Sequence, residues 1–368
     1  MSLHKKNQIY YLNVLRTIGC LSVIMIHSSA PEAIKSVGSS NFWFGIVFDA
    51  LSKVGVPLFA MISGALMLDN SREMSKKKII RHIKKMAVFF ACWSFVYWLV
   101  FDILISLFKN HEKFDFGEKI SSLLKGPYHL WFVFLIIGFY LIVPLLRLWV
   151  NDRNKKYIVY FLILSFIFSF FLPMLKLIGS AFGSKYEWLY GWEDYWWSSS
   201  MMSYVLGYNG YFILGWYLHN YEIRNKRLIY GLGVTGVLIS IFGSFLMSKI
   251  SGKPCLLIDE GTPNIFFQAM ALFVFTKSKY SHSHNETSKI AKVVNSVSKY
   301  SLNIYGAHVM IITFILRILV RQNCTNPMII IFLKFSVAFV LSYCISVLIE
   351  KVLSLKKYLV GLLCKEKK

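Results

Sequence analysis

The chain has 368 residues, of which 56% are hydrophobic and 17% aromatic, while only 16% are charged. Several apolar runs approach the roughly 20 residues that a helix needs to cross a bilayer, so the composition argues against an ordinary soluble domain. It predicts an all-α, polytopic membrane protein. A formal net charge of +23 would suggest nucleic-acid binding in a soluble protein, but the placement of the charges along this chain indicates otherwise.

About ten membrane-spanning helices are predicted from the hydropathy, and the eighth is short for a crossing. In chain order they are Gln8–Ser28, Phe42–Leu68, Met86–Phe108, His129–Val150, Tyr157–Ile178, Met201–His219, Leu228–Met247, Pro263–Phe275, Tyr300–Val320 and Pro327–Ile349. Both termini are expected in the cytoplasm. Residues 1–368 are expected to form a single integral membrane domain with no appended soluble domain.

The basic residues favour this orientation. With the N-terminus inside, the inner segments hold 26 of the 41 Lys and Arg residues, and the outer loops hold nine. Lys and Arg concentrate in the cytoplasmic loops of helical membrane proteins, so the net charge is mostly an orientation signal and no nucleic acid is expected. The first apolar run is too long for the core of a signal peptide. The six cysteines lack metal-ligand spacing, so no metal is predicted.

The first predicted span contains two ionisable residues, Arg16 and His27, in the stretch NVLRTIGCLSVIMIHSS. Eleven residues correspond to three helical turns plus about 20°, so the two side chains share a face about 16 Å apart along the axis. Asn13 and Cys20 lie on the same stripe. Polar groups at this depth are costly unless they face a bundle interior or a water-filled cavity. His27 is therefore either a catalytic base or an interfacial histidine bonded to a neighbouring serine.

The loop SAFGSKYEWLYGWEDYWWSSSMMS, predicted outside, combines four tryptophans with Glu193 and Asp194. An aromatic belt at the membrane interface explains the tryptophans. The functional alternative is a stacking platform for sugar rings, with the carboxylates accepting hydrogen bonds from hydroxyls.

Four stretches together resemble the acyltransferase 3 family of integral membrane acyltransferases. Arg16 and His27 are similar to its R-X10-H signature, and the other three stretches agree in order and spacing. They contain Phe59, Ser63 and Gly64; Trp131, Phe132, Tyr140 and Pro144; and Ser301, Tyr305 and His308. The resemblance covers essentially the whole chain. One departure is Asn13, where family members often have an aspartate, so a counter-ion for Arg16 would have to come from another helix.

The resemblance implies transfer of an acyl group, usually acetyl from acetyl-CoA, to a hydroxyl of an extracytoplasmic glycan. His27 is then the candidate base or acyl carrier, with Arg16 beside the donor path. A basic segment after the second span is the candidate site for the phosphates of the acyl-CoA donor, although for any one of its residues contact with anionic lipid is the favoured explanation. Its candidate ligands are Lys78, Arg81, Lys84 and Lys85.

The glycan or lipid-linked glycan acceptor is expected to meet His129 and Trp131 at the outer end of the fourth helix, together with Glu193 and Asp194. Supporting roles are expected for Asn13, Ser63, Tyr305 and His308. For Ser63, close helix packing is favoured over a nucleophile. For His308, which is expected nearer the cytoplasm, structural hydrogen bonding is favoured over acyl chemistry.

The rival interpretation is a transporter or flippase of a glycan, lipid-linked sugar or small metabolite, since an aqueous cavity and intramembrane charges would serve it equally well. The resemblance implies a bacterial plasma membrane location in contact with membrane lipid. A homo-oligomer is compatible with the sequence.

Overall fold

The computed structural model describes residues 3–104, 116–183, 202–281, 288–321 and 325–365. These ranges form helices and contain no strand. In chain order the α-helices are α1 Leu3–Ala33, α2 Ser40–Ser52, α3 Gly55–Met67, α4 Lys76–Tyr97, α5 Phe116–Lys125, α6 Trp131–Trp149, α7 Lys155–Phe166, α8 Leu172–Ala181, α9 Met202–Asn220, α10 Lys226–Leu238, α11 Ser244–Ser251, α12 Pro263–Tyr280, α13 Lys289–Arg321 and α14 Pro327–Lys365. Short π-helical segments extend α4 and join α7 to α8 and α10 to α11.

The predicted all-α membrane fold is confirmed. Eight candidate spans in the described residues are long and apolar enough to cross a membrane. They are Tyr10–Ala33, Ser40–Met67, Lys76–Leu104, Gly117–Trp149, Asp152–Ala181, Lys226–Ser251, Lys289–Leu319 and Pro327–Ser354. The predicted spans Met201–His219 and Pro263–Phe275 correspond to α9 and α12, which are helical but are not among these eight.

The second predicted span is not one continuous helix. α2 ends at Ser52 and α3 begins at Gly55. Pro57 has no N–H to bond the carbonyl of Lys53 four residues earlier, which favours interruption of the helix here. The break places Lys53 within a candidate membrane span, where irregular backbone is tolerated if protein or a cavity covers it.

α3 and α9 pack backbone to backbone through two glycines. A Cβ atom at Gly64 would overlap the carbonyl of Phe212, and one at Gly215 would overlap the carbonyl of Met61. Small residues allow this close approach of membrane helices. Gly64 therefore permits the close approach of α3 to α9, and the packing role of Ser63 stays a prediction.

The end of α1 is fixed by a buried ion pair with α14. Lys334 Nζ lies 3.3 Å from Glu32 Oε1 and donates to the carbonyl of Ser28 at 3.2 Å. Asn41 donates to the other carboxylate oxygen at 2.7 Å. The two charged side chains are 0% and 2% exposed, so this network joins α1, α2 and α14 in the protein interior.

Candidate active site

Three histidines from distant parts of the chain meet at one point. His27 lies on α1, His129 on the 3-10 turn before α6, and His308 on α13. The ring of His27 is 5.1 Å from that of His308 and 6.2 Å from that of His129, and the latter two rings are 5.4 Å apart, centroid to centroid. The structure thus places His308 beside His27 rather than nearer the cytoplasm, because α13 begins eleven residues before the predicted Tyr300.

Tyrosine hydroxyls surround this histidine cluster, which we define as His27, His129 and His308. The Tyr128 hydroxyl lies 3.3 Å from His27 Nδ1, and the Tyr97 hydroxyl lies 3.4 Å from His129 Nε2. Tyr305 donates a hydrogen bond to the carbonyl of His129. The turn that carries His129 is therefore tied to α13, so the rings of His129 and His308 keep a fixed relation.

Two imidazole nitrogens of the cluster have no protein partner among the described residues, namely His129 Nδ1 and His308 Nε2. His308 Nδ1 lies 2.7 Å from the carbonyl of Tyr305, which fixes the ring within its own helix. The described part of the chain contains no group of three His, Cys, Asp or Glu residues that could hold a metal ion. The unpaired nitrogens of His129 and His308 are therefore available for proton exchange or for contact with a ligand.

Arg16 is half-buried and has no carboxylate partner within 4 Å among the described residues. Its Nη1 donates to Ser298 Oγ at 3.4 Å, and Ser298 in turn donates to Asn13 Oδ1 at 3.0 Å. Asn13 also donates to Asn295 at 3.0 Å. Neutral groups of α1 and α13 therefore surround a guanidinium whose charge they do not balance.

Two adjoining cavities meet at Arg16 and Ser63, which line both. The central cavity, about 160 Å³, is lined by Arg16, Val23, Val56, Phe59, Ser63, Met86, Phe132, Ile136, Ser301, Leu302 and Tyr305. The basic cavity, about 590 Å³, is lined by Arg16, Ser63, Leu66, Met67, Arg72, Glu73, Met74, Lys78, His82 and Tyr140. Tyr305 joins the central cavity to the histidine cluster, because its ring is 5.7 Å from that of His129 and 5.8 Å from that of His308.

Arg147 holds the loop that shapes the basic cavity. From the end of α6 its guanidinium donates to three carbonyls in or next to the α3–α4 loop: Met67 at 2.8 Å, Asp69 at 2.8 Å and Arg72 at 2.9 Å. A guanidinium has five N–H donors in a fixed fork, which suits this task. Arg72 is thereby positioned at the cavity by a residue that the sequence analysis did not single out.

The predicted basic ligands separate into two groups. Lys78 lines the basic cavity and pairs with Glu73 at 2.6 Å. Arg81, Lys84 and Lys85 are exposed on α4 and do not line it. Arg72 and His82 occupy the cavity wall instead, and the His82 ring stacks on Tyr140 at 5.1 Å.

The other predicted residues also have definite places. The Ser63 hydroxyl donates to the carbonyl of Phe59 at 2.8 Å, so its hydrogen is used within α3 although the side chain lines both cavities. Trp131 is 43% exposed, and its ring lies 5.6 Å from Tyr208. Glu193 and Asp194 lie outside the described residues.

Sequence reasoning missed a group of charges at the break between α2 and α3. Lys53 Nζ lies 3.6 Å from Glu260 Oε1, and the nearby Asp49 is buried. Two opposite charges four residues apart inside an apolar run are the same kind of signal that drew attention to Arg16. Tyr97 and Tyr128 gave no comparable signal, since tyrosines are common at membrane interfaces.

Comparison with protein-family models finds a match over nearly the whole chain. The acyltransferase 3 model, described as an acyltransferase domain, matches residues 9–350. The chain belongs to this family. No curated protein and no solved structure matches the chain.

Membership of the acyltransferase 3 family makes the chain a membrane acyltransferase, because the matched region includes all but the last few residues of the eight candidate spans. Arg16, His27, His129 and His308 all lie inside the matched region. The geometry adds that the arginine and the histidines belong to one chain of cavities and ring contacts.

Proposed function

We propose that this acyltransferase moves an acyl group, most simply acetyl, from cytoplasmic acyl-CoA to a hydroxyl of an extracytoplasmic glycan. One observation carries the proposal: the basic cavity and the central cavity adjoin at Arg16, and Tyr305 of the central cavity wall contacts the rings of His129 and His308. A donor that enters among cations on one side and an acceptor that arrives on the other would meet at His27.

The basic cavity suits the donor. Coenzyme A is a polyanion, and Arg72, Lys78 and His82 line this cavity together with Arg16. Guanidinium and ammonium groups bind phosphates through charge-assisted hydrogen bonds. The narrower, mostly apolar central cavity suits the uncharged pantetheine arm, and Arg16 at the junction would donate to its amides or to the thioester carbonyl.

His27 has the position of a general base. The acceptor hydroxyl gives its proton to the ring, the hydroxyl oxygen forms a bond to the thioester carbon, and the carbon–sulfur bond breaks. The proton then returns from the imidazolium to the CoA thiolate, so the ring ends as it began. Tyr128 contacts Nδ1 of His27, which leaves Nε2 to exchange the proton.

A two-step route uses the same atoms. His27 Nε2 attacks the thioester carbon, the carbon–sulfur bond breaks, and the thiolate takes the Nδ1 proton and leaves as CoA thiol. The acceptor oxygen then attacks the acyl carbon, the carbon–nitrogen bond breaks, and the hydroxyl proton goes to the imidazole. One measurement distinguishes the two routes. In the absence of the acceptor, only the two-step route transfers a labelled acyl group to the protein.

The test is His27→Ala, purified and compared with the wild-type protein at equal concentration for transfer from radiolabelled acetyl-CoA to de-O-acylated surface polysaccharide. We expect transfer to fall by roughly 10²- to 10⁴-fold, as for loss of a general base, with CoA binding retained. His219→Ala is the control, since this histidine contacts Tyr11 away from the cluster.

Transfer at the original rate in His27→Ala would overturn the assignment of the base. If the wild-type protein moves glycan across a vesicle membrane and consumes no acyl-CoA, the transporter interpretation replaces the present one.

A further inference from the structure

The break between α2 and α3 collects four charged residues, which we call the helix-break cluster: Asp49, Lys53, Asp259 and Glu260. Asp49 and Lys53 are one turn apart at the end of α2, and the loop before α12 supplies the other two. Lys53 Nζ lies 3.6 Å from Glu260 Oε1 and interacts electrostatically with both aspartates. The break thus holds three carboxylates and one ammonium.

This cluster lies beside His27. Gly55, two residues after Lys53, packs against α1 so closely that a Cβ atom there would lie 3.0 Å from Val23 and 3.1 Å from Ser22. His27 is four residues beyond Val23, which is about one helical turn. α2 packs along the same part of α1, because a Cβ atom at Gly45 would overlap the backbone of Glu32 and Ala33, so the end of α2 lies level with His27. Val23 and Val56 line the central cavity, so the break also borders the proposed path of the donor.

The helix-break cluster differs from a closed structural ion pair. The side chains of Lys53 and Glu260 are each 18% exposed, whereas those of Lys334 and Glu32 are 0% and 2% exposed. Asp49 is 3% exposed, and its Oδ1 has no hydrogen-bond partner among the described residues. A buried carboxylate oxygen is costly unless a hydrogen-bond donor reaches it, so this site has unused acceptor capacity.

Its chemistry selects a neutral polyhydroxyl group. An ammonium only donates hydrogen bonds and carboxylates only accept them, while a hydroxyl does both. An anionic sugar would face three carboxylates against one ammonium and is therefore disfavoured, whereas an uncharged sugar adds no like charge to the cluster. An aromatic wall adjoins the cluster, because the Tyr211 hydroxyl donates to the backbone carbonyl of Glu260 at 2.8 Å and the Tyr208 ring lies 6.2 Å from that of Tyr211 and 5.6 Å from that of Trp131.

We propose that the helix-break cluster is the acceptor subsite, in which Lys53 and Glu260 bind hydroxyls of a neutral sugar and present a neighbouring hydroxyl to His27. This assignment rests on the proposed function and adds the acceptor's chemical class. It also accounts for a buried charged group that donor binding does not use.

The experiment compares Lys53→Met and Glu260→Gln with the wild-type protein in nanodiscs, at saturating acetyl-CoA and varied de-O-acylated surface polysaccharide. Each variant should lose about tenfold or more in kcat/KM for the acceptor, because each removes hydrogen bonds of a charged group. The Kd for CoA should stay within about twofold, since the donor cavity is intact. Lys53→Arg should retain most of the transfer.

Lys299→Met is the matched control. It breaks an exposed ion pair of the same kind, with Glu350 at 2.6 Å, and should leave transfer unchanged. As competitors of the wild-type reaction, methyl glucoside should inhibit at concentrations where methyl glucuronide does not. Glu260→Gln, which preserves side-chain shape, keeps the test valid if Lys53→Met fails to fold.

Unchanged acceptor kinetics in Lys53→Met and Glu260→Gln would overturn the proposal, as would a parallel loss of CoA affinity or inhibition by the glucuronide alone. Lack of inhibition by the glucoside would also overturn it. Failure of the proposed function looks different, because then the wild-type protein itself transfers no acyl group to any hydroxyl.

Discussion

Two interior cations, Arg16 and Lys334, show how this protein uses charge within the membrane in different ways. Lys334 is 0% exposed and is fully engaged by Glu32 and the carbonyl of Ser28. Arg16 is half-buried, has only neutral partners among the described residues, and lines two cavities.

This difference in pairing indicates a structural role for Lys334 and a functional role for Arg16. An ion within the membrane needs a partner or water, and Lys334 has its partner permanently. The charge of Arg16 is therefore available to a ligand that enters the cavity. Both contribute to the same helix, since Lys334 fixes the end of α1 that carries His27 while Arg16 lies three turns below it.

The largest expected effect is on stability, in Lys334→Met. Removing Lys334 leaves the buried Glu32 with Lys35, whose side chain is 48% exposed, as its remaining cation, so the free energy of unfolding should fall by up to about 3–5 kcal/mol. Unfolding by sodium dodecyl sulfate in mixed micelles measures it. The double variant Lys334→Met with Glu32→Gln should regain much of the loss, and equal stability of single and double variants would contradict a specific pair.

Arg16→Met should have the opposite effects, weakening CoA binding without lowering stability. The Kd for CoA should rise by about 10- to 100-fold, which is the loss of one or two charge-assisted hydrogen bonds. The free energy of unfolding should not fall, because the removed charge has no carboxylate partner in the folded protein. Titration calorimetry and the same unfolding assay check both. A drop in stability as large as that of Lys334→Met would remove the distinction between the two cations.

Lys78 and Arg81 lie one turn apart on α4, but their substitution should affect CoA binding differently, and the difference is smaller than the effect of Arg16→Met. Lys78→Met should weaken CoA binding severalfold and reduce the dependence of affinity on salt, since Lys78 lines the basic cavity and salt screens such contacts. Arg81→Met should do neither, because Arg81 is exposed and outside the cavity wall. Equal effects would favour a diffuse basic surface in which Arg81, Lys84 and Lys85 also bind the CoA phosphates, as the sequence predicts.

Much of the fold followed from patterns that operate along one helix. Apolar length predicted the membrane helices, and the eleven-residue spacing placed Arg16 and His27 on one face. The break at Lys53 was missed because the run Phe42–Leu68 is long enough to cross and hydropathy does not register the missing N–H of Pro57. Pro57, seventeen residues after Ser40, could have indicated that the helix is interrupted there.

Contacts between helices were harder to predict. The position of His308 depended on where α13 begins, and α13 starts at Lys289, well before its apolar stretch. The rings of His308 and His27 lie 5.1 Å apart because α1 and α13 pack together, and the periodicity of either helix does not predict that contact. Lys334 likewise lies in an apolar run, and only the fold shows that Glu32 neutralises it.

The smallest expected effect comes from giving Arg16 the carboxylate it lacks. Asn13 and Arg16 contact the same serine, Ser298, so Asn13→Asp would place a negative charge next to the guanidinium. We expect the Kd for CoA to rise only about two- to fivefold, because the new carboxylate competes with the donor without removing the cation. Asn13→Leu, which removes the hydrogen bonds and adds no charge, is the control and should affect stability more than affinity. If Asn13→Asp weakened binding as much as Arg16→Met, the guanidinium would act chiefly through its net charge, and the cavity-facing hydrogen bonds assigned to it would be wrong.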